Sequence, residues 1–293
     1  MAAPLRLATR ASPQARTQAE VVAEAITAVA RRPTELVFVE TTGDRKQQVP
    51  LHTIGCQGVF VKEVQQAVLD GRADAAVHSA KDLPSESPDE LCLAAFCARR
   101  DAADALVGLP LAGLDAGAVV ATGSVRRHAQ LAAVRPDLRF VELRGNIARR
   151  LEQVPDGGAI VIAVAALEVL GLTARIAERL DPTVFVPAVG QGCVAVECRA
   201  DDAATRSVLA TVDDPSTRFA VTTERSFLAE LGAGCTLPLG GYCVGGMLHA
   251  FLASEQPVCT PAFRETIVVP DDLDGAASRA ADLARRARAF VGR

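Results

Sequence analysis

A chain of 293 residues is long enough for two or three domains with genuine cores, and 49% hydrophobic with 23% charged residues is globular usage that excludes a disordered chain. The formal net charge of −4 excludes a surface that draws in nucleic acid or anionic membrane as a whole, so any anion site must be local. No apolar run reaches transmembrane length, and Met1 to Leu5 lacks the basic start of a secretion signal, so the expected location is the cytoplasm.

Leu5 to Ala8 reads as a short strand, and Ser12-Pro13 as an N-cap followed by proline at the first helical position. Ala15, Ala19, Val22, Ile26 and Val29 then recur at helical spacing until Pro33 ends the pattern. Leu36 to Glu40 is the next strand. A Gly-rich stretch from Gly43 to Gly58 precedes a second amphipathic helix marked by Phe60, Val64, Ala67 and Val68, closed by Gly71, and Ala73 to Val77 resumes as a strand. The cycle restarts with a strand at Val119 to Ala121, a helix over Val125 to Val134 and a strand at Leu138 to Leu143; another cycle runs from Ile147 to Leu170. Such alternation predicts mostly parallel sheets covered by helices, in two α/β domains. From about Pro215 the texture becomes a helix through Leu231, strand-like runs at 239–244, 247–253 and 261–269, and an Ala/Arg-rich helix, the pattern of a small α+β domain.

Open parallel sheets bind ligands beyond the carboxyl ends of their strands. The residues expected there are Thr9-Arg10-Ala11-Ser12, His78-Ser79-Ala80-Lys81-Asp82, Thr122-Gly123-Ser124-Val125-Arg126-Arg127, and Arg144-Gly145-Asn146 with Arg149 and Arg150 one turn on. Taken singly, each serine is a helix cap and each arginine a solvated face. Four such edges in an acidic protein instead imply a ligand with several carboxylates or phosphates, clasped between two domains. Lysine occurs only at 46, 62 and 81, so guanidinium, the planar two-point partner of carboxylates, carries most of the positive charge. Asp82 opposes anion binding unless it takes part in the chemistry. It is either a proton-transfer group that also stabilises a developing cation, or the partner of a neighbouring cation.

The eight cysteines contain no C-x-x-C pair and no zinc spacing, so no metal site is expected. Cys235, in Gly232-Ala233-Gly234-Cys235-Thr236-Leu237-Pro238, and Cys56, in Gly55-Cys56-Gln57-Gly58, both stand in glycine-flanked turns that leave a thiol approachable, and composition does not choose between them.

HSAKDLP (78–84), GSVRRHAQL (123–131), LRGNIARRL (143–151), PAVGQGCVAVECR (187–199) and GAGCTLP (232–238), preceded by LRLATRASP at residue 5, together resemble the porphobilinogen deaminase family in its own order over nearly the whole chain. The resemblance implies two α/β domains like periplasmic binding proteins, with mostly parallel mixed sheets, and a small C-terminal α+β domain. The expected limits are 1–98 with 193–213, 99–192, and 214–293. It implies a cytoplasmic monomer, without nucleic-acid or membrane partner, that joins four porphobilinogen molecules head to tail and releases hydroxymethylbilane. Cys235 matches the position that carries a dipyrromethane cofactor through a thioether, and Asp82 matches the essential aspartate. By position Ser79, Lys81, Thr122, Ser124, Arg126, Arg127, Arg144 and Gly145 hold the cofactor, and Arg10, Ser12, Arg150, Arg175 and Gln191 contact substrate; Arg149 is a neighbouring candidate. The chain departs from the family at Thr53, Cys56 and Gln57, where relatives carry lysines in a mobile loop, and at Gly123, where a second hydroxyl is frequent. A non-catalytic clamp for small carboxylates, or a relative that binds pyrroles without turnover, are the competing readings.

Overall fold

The computed structural model describes residues 3–45, 58, 60–232, 237–254 and 262–292. Strand β1 (Leu5–Arg10) buries Leu5, Leu7 and Ala8, as a strand covered on both faces requires, and pairs in parallel with β2 (Thr34–Val39) and β3 (Ala75–Ser79). The β1-to-β2 connection is helix α1 (Pro13–Ala30), which presses Ala19, Val22 and Ile26 onto the sheet. Helix α2 (Lys62–Leu69) contributes Val64, Ala67 and Val68 to the core of the opposite face. After β4 (Leu91–Phe96) the chain crosses to a second sheet and lays down β5 (Asp104–Gly108), β6 (Val119–Ala121), α3 (Val125–Val134), β7 (Arg139–Val141), α4 (Ile147–Leu151), β8 (Ala159–Ala163), α5 (Val164–Val169) and β9 (Ile176–Arg179). It then returns to the first sheet as β10 (Val194–Arg199), followed by α6 (Ala203–Leu209).

The two sheets have matching orders, β2-β1-β3-β10-β4 and β7-β6-β8-β5-β9, and in each the fourth strand runs against the other four. Those antiparallel strands, β10 and β5, each follow directly on a passage between sheets. The two passages touch: Cys97 N donates to Val194 O and Arg100 N to Gly192 O, both at 2.9 Å.

The third unit is an antiparallel meander of β11 (Leu239–Val244), β12 (Met247–Leu252) and β13 (Phe263–Val268), packed with α7 (Pro215–Glu230) and α8 (Leu273–Val291). Glu224 of α7, wholly buried, ties it to the passages: it accepts from Arg99 Nη1 and Nη2 at 2.5 and 3.2 Å, Gly190 N at 2.8 Å and Cys243 N at 2.8 Å.

The mixed α/β architecture is as the sequence predicts, with two differences in the strands near the ligand edge. The strand expected at Ala73 to Val77 lies at Ala75–Ser79, because the Asp74 side chain instead holds Arg6 through its amide and guanidinium, and the β10 pairing extends the strand to Ser79. The strand expected over Leu138 to Leu143 is only Arg139–Val141, paired with β6 alone.

Candidate active site

Strand β3 runs into a 3-10 turn, Ala80–Asp82, whose first amide donates to Cys193 O at 2.9 Å. This turn carries the half-buried Lys81 and Asp82 at the carboxyl edge of the first sheet. The Asp82 carboxylate has no hydrogen bond or ion pair within the described residues, so it is not consumed by a structural partner. Its field is felt by Lys81 beside it and by Arg150 of α4, which follows β7 of the second sheet. Asp82 is therefore close enough to cations that follow strands of both sheets to act on their charge.

Burial, then the nearby Arg127 charge, pushes the Lys81 ammonium down to about 8, with Asp82 opposing. Burial, then Arg127 and Arg144, likewise brings Arg150 down to about 10. These cations crowd one another with too little negative charge to balance them.

Arg126 and Arg127 lie together but face inward. Both grip Asp104, the first residue of β5, at 2.7 Å, and donate to Val186 O and Val161 O. Burial works against the Asp104 carboxylate, but the two guanidinium groups outweigh it and hold it well below the usual carboxylate range. Arg126, 4% exposed, is thus the partner of a buried acid, whereas Arg127 extends its charge toward Lys81 and Arg150. Gln191, 1% exposed, is also internal: its amide donates to Ala102 O and Asp104, and its oxygen accepts from Lys81 Nζ at 3.3 Å. It supports Lys81 from within the fold.

The hydroxyls divide in a similar way. Ser12 caps α1, accepting from Ala15 N, and Ser124 caps α3, accepting from Arg127 N, both at 3.4 Å; Ser79 donates to Gln18 at 3.0 Å, and Thr122 accepts from Ser124 N at 3.2 Å. All four stand at the carboxyl edges; Ser12, Ser124 and Thr122, which accept, keep their own proton to donate, whereas Ser79 directs its proton to Gln18. Arg10 lies at the end of β1 with its guanidinium 4.1 Å from the Phe60 ring centre. Arg144 approaches Glu142 at 3.8 Å, and Gly145 O accepts from Arg150 Nε at 2.8 Å. Arg149 is exposed. Arg175, also exposed, precedes Ile176, which pairs with Val107 of β5. A Cβ at Gly123 would lie 2.8 Å from Leu143 O and 2.9 Å from the Glu142 carboxylate, so the backbone carbonyl of Leu143 above all leaves no room for a side chain there.

A family model described as "Porphobilinogen deaminase, dipyromethane cofactor binding domain" matches residues 5–207. The chain belongs to the porphobilinogen deaminase family. A relative named porphobilinogen deaminase from Acidothermus cellulolyticus is 46% identical over 96% of this chain and 88% of its own length; another of that name from Roseiflexus sp. strain RS-1 is 48% identical over 80% of each. Among solved structures, a periplasmic substrate-binding protein of an ABC transporter from Coxiella burnetii aligns at TM-score 0.45 and 15% identity, covering 73% of this chain and 93% of that one.

The family's dipyrromethane suits the residues present, because a ligand with several carboxylates supplies the negative charge that Lys81 and Arg150 lack. Burial raises the Cys97 thiol to about 11 and the Cys243 and Cys198 thiols to about 12, and it raises Cys193 further, so these four are poor nucleophiles at neutral pH. Cys235 and Cys56, like Thr53 and Gln57, lie outside the described residues, which end at Gly232 just beyond α7 and resume at Leu237. No group of three or more possible metal ligands occurs among the described residues, and none of their helices is long and apolar enough to cross a membrane.

Proposed function

We propose that this chain is a transferase of tetrapyrrole biosynthesis that deaminates porphobilinogen, joins four such units head to tail and frees hydroxymethylbilane by hydrolysis. The observation that carries this reading is an Asp82 without a partner among the described residues, acting on Lys81 after β3 and on Arg150 of α4, in a chain of this family. When bound through Cys235, the dipyrromethane supplies the pyrrole carbon on which the first unit is added. Lys81, Ser79, Thr122, Ser124, Arg127, Arg144 and the Gly145 backbone would hold its carboxylates; Arg10, Ser12 and Arg150 would hold those of the incoming substrate. Asp82 would give a proton to the departing amine and then face the cation left on the substrate, a role left open by its lack of a partner among the described residues. We further infer domains at 1–98 with 193–213, 99–192 and 214–293, and a monomer acting in the cytoplasm.

The test is the intact mass of the purified protein, followed by an assay of porphobilinogen consumption. A dipyrromethane-sized excess on the Cys235 peptide, together with ammonia release, is expected; a bare chain without turnover would favour a non-catalytic carboxylate clamp. Asp82→Ala is expected to keep the adduct and the fold and lose turnover, and normal turnover would remove Asp82 from its role.

A further inference from the structure

The segment that presents Lys81 and Asp82 meets one side chain at both ends, through a close approach at His78 and a hydrogen bond from Ser87. Glu197 of β10 is wholly buried, flanked along its strand by the apolar Val196 and Cys198. Its Oε2 lies 3.1 Å from His78 Nε2 and accepts from Gln65 Nε2 of α2 at 2.8 Å; its Oε1 accepts from Ser87 Oγ at 2.6 Å. His78 is the fourth residue before Asp82 and Ser87 the fifth after it. Between these ends Arg225 of α7 donates to Pro84 O at 2.9 Å and Ser85 O at 3.1 Å. A carboxylate buried this completely is costly, and an apolar residue would fill the same strand position without that cost. Burial pushes the Glu197 carboxyl up, but His78, then Ser87 and Gln65, outweigh it and keep it below the usual range. The anion is thereby retained, and its two oxygens reach the three elements that surround the turn.

We propose that Glu197 is a positioning residue for deamination, holding His78 and Ser87 on one carboxylate so that the turn between them aims Asp82 at the bound substrate. This rests on the deaminase reading above. Its partners flank the turn, so its loss should alter the placement of Asp82 together with its neighbour Lys81 and leave Arg10 on β1 and Arg150 on α4, which are to hold the incoming substrate, where they are.

The test compares wild type, Glu197→Gln and Ser87→Ala as adduct-bearing proteins, each confirmed by intact mass. An inactive, adduct-free wild type would sink the parent reading and is recognised before any variant is made. With an active wild type, Glu197→Gln is expected to lose about tenfold to a hundredfold in kcat with the porphobilinogen KM within about twofold, the signature of a misplaced reacting group. Ser87→Ala, which removes one donor and leaves the core intact, should lose several-fold in kcat with the same unchanged KM. Wild-type kcat per adduct-bearing molecule in both variants overturns the proposal, as does a parallel change of kcat and KM. If Glu197→Gln does not fold, Ser87→Ala alone decides by the same readout.

Discussion

Lys81 is held where the protein alone disfavours its charge, and that makes its two pH effects opposite in sign. Because burial lowers its folded-state value from 10.5 to about 8, the unfolded chain binds more protons between those limits, and Lys81 makes the folded chain more stable as pH rises through that window. Carboxylate binding needs the ammonium, so it weakens over the same range. The expected result is a dipyrromethane uptake by the cofactor-free chain that weakens above about pH 8, a limb missing from Lys81→Met, whose uptake affinity at neutral pH should be lower by roughly 10- to 100-fold for one charge-assisted contact. A wild-type profile flat to pH 10 would remove Lys81 from the binding set. The motif Lys81-Asp82 was legible in the sequence because it ends a strand in a run of polar residues. The inward direction of Arg126 and Arg127 was not, because their partner Asp104 is distant in the chain and begins a strand that no pattern announced.

Strands whose side chains alternate between core and water announce themselves, and strands covered on both faces do not. β13, whose buried and exposed positions largely alternate, and its neighbours β11 and β12 lie within a residue or two of where the pattern puts them. Leu91–Phe96, Asp104–Gly108 and Val194–Arg199 lack that alternation because helices cover both sides, and the pattern alone does not delimit them. Helix α7 was legible from Pro215 onward, but its most consequential residue was not. Glu224 reads as one more acid on a polar helix until Arg99, Gly190 and Cys243 are placed around it. Glu224→Gln would leave the Arg99 guanidinium without its counter-charge, so stability should fall by about 3–5 kcal/mol. That corresponds to a loss of thermal midpoint on the order of 10 °C in a chain of this size. A midpoint within about two degrees of wild type, read by calorimetry at about pH 7, would show that the buried pair contributes little.

At the scale of the molecule, the parallel between the sheets follows from the chain passing between them twice, through 97–103 and 180–193. Gly192 lies where these passages meet, with φ +85°, and a Cβ there would come within 2.6 Å of Arg100 O. Gly192→Ala is expected to cost about 1–3 kcal/mol through backbone strain and the displaced contact between the Arg100 and Gly192 backbones, measurable as a lower urea midpoint with an unchanged slope. An unchanged midpoint would mean the passages can separate freely. The repeating strand–helix order made the two α/β domains legible, but the crossing itself was carried by short segments without periodicity.

The position of β10 between β3 and β4 also bears on how the protein is made. On a ribosome the N-terminal strands emerge first, yet the first sheet stays split until residues 194–199 follow, after the whole second sheet has been synthesised. The second sheet has no such wait, since all five of its strands lie within Asp104–Arg179. Translation that stalls before Val194 therefore leaves β3 and β4 with open edges facing each other across an empty strand position, the kind of surface that pairs with other chains.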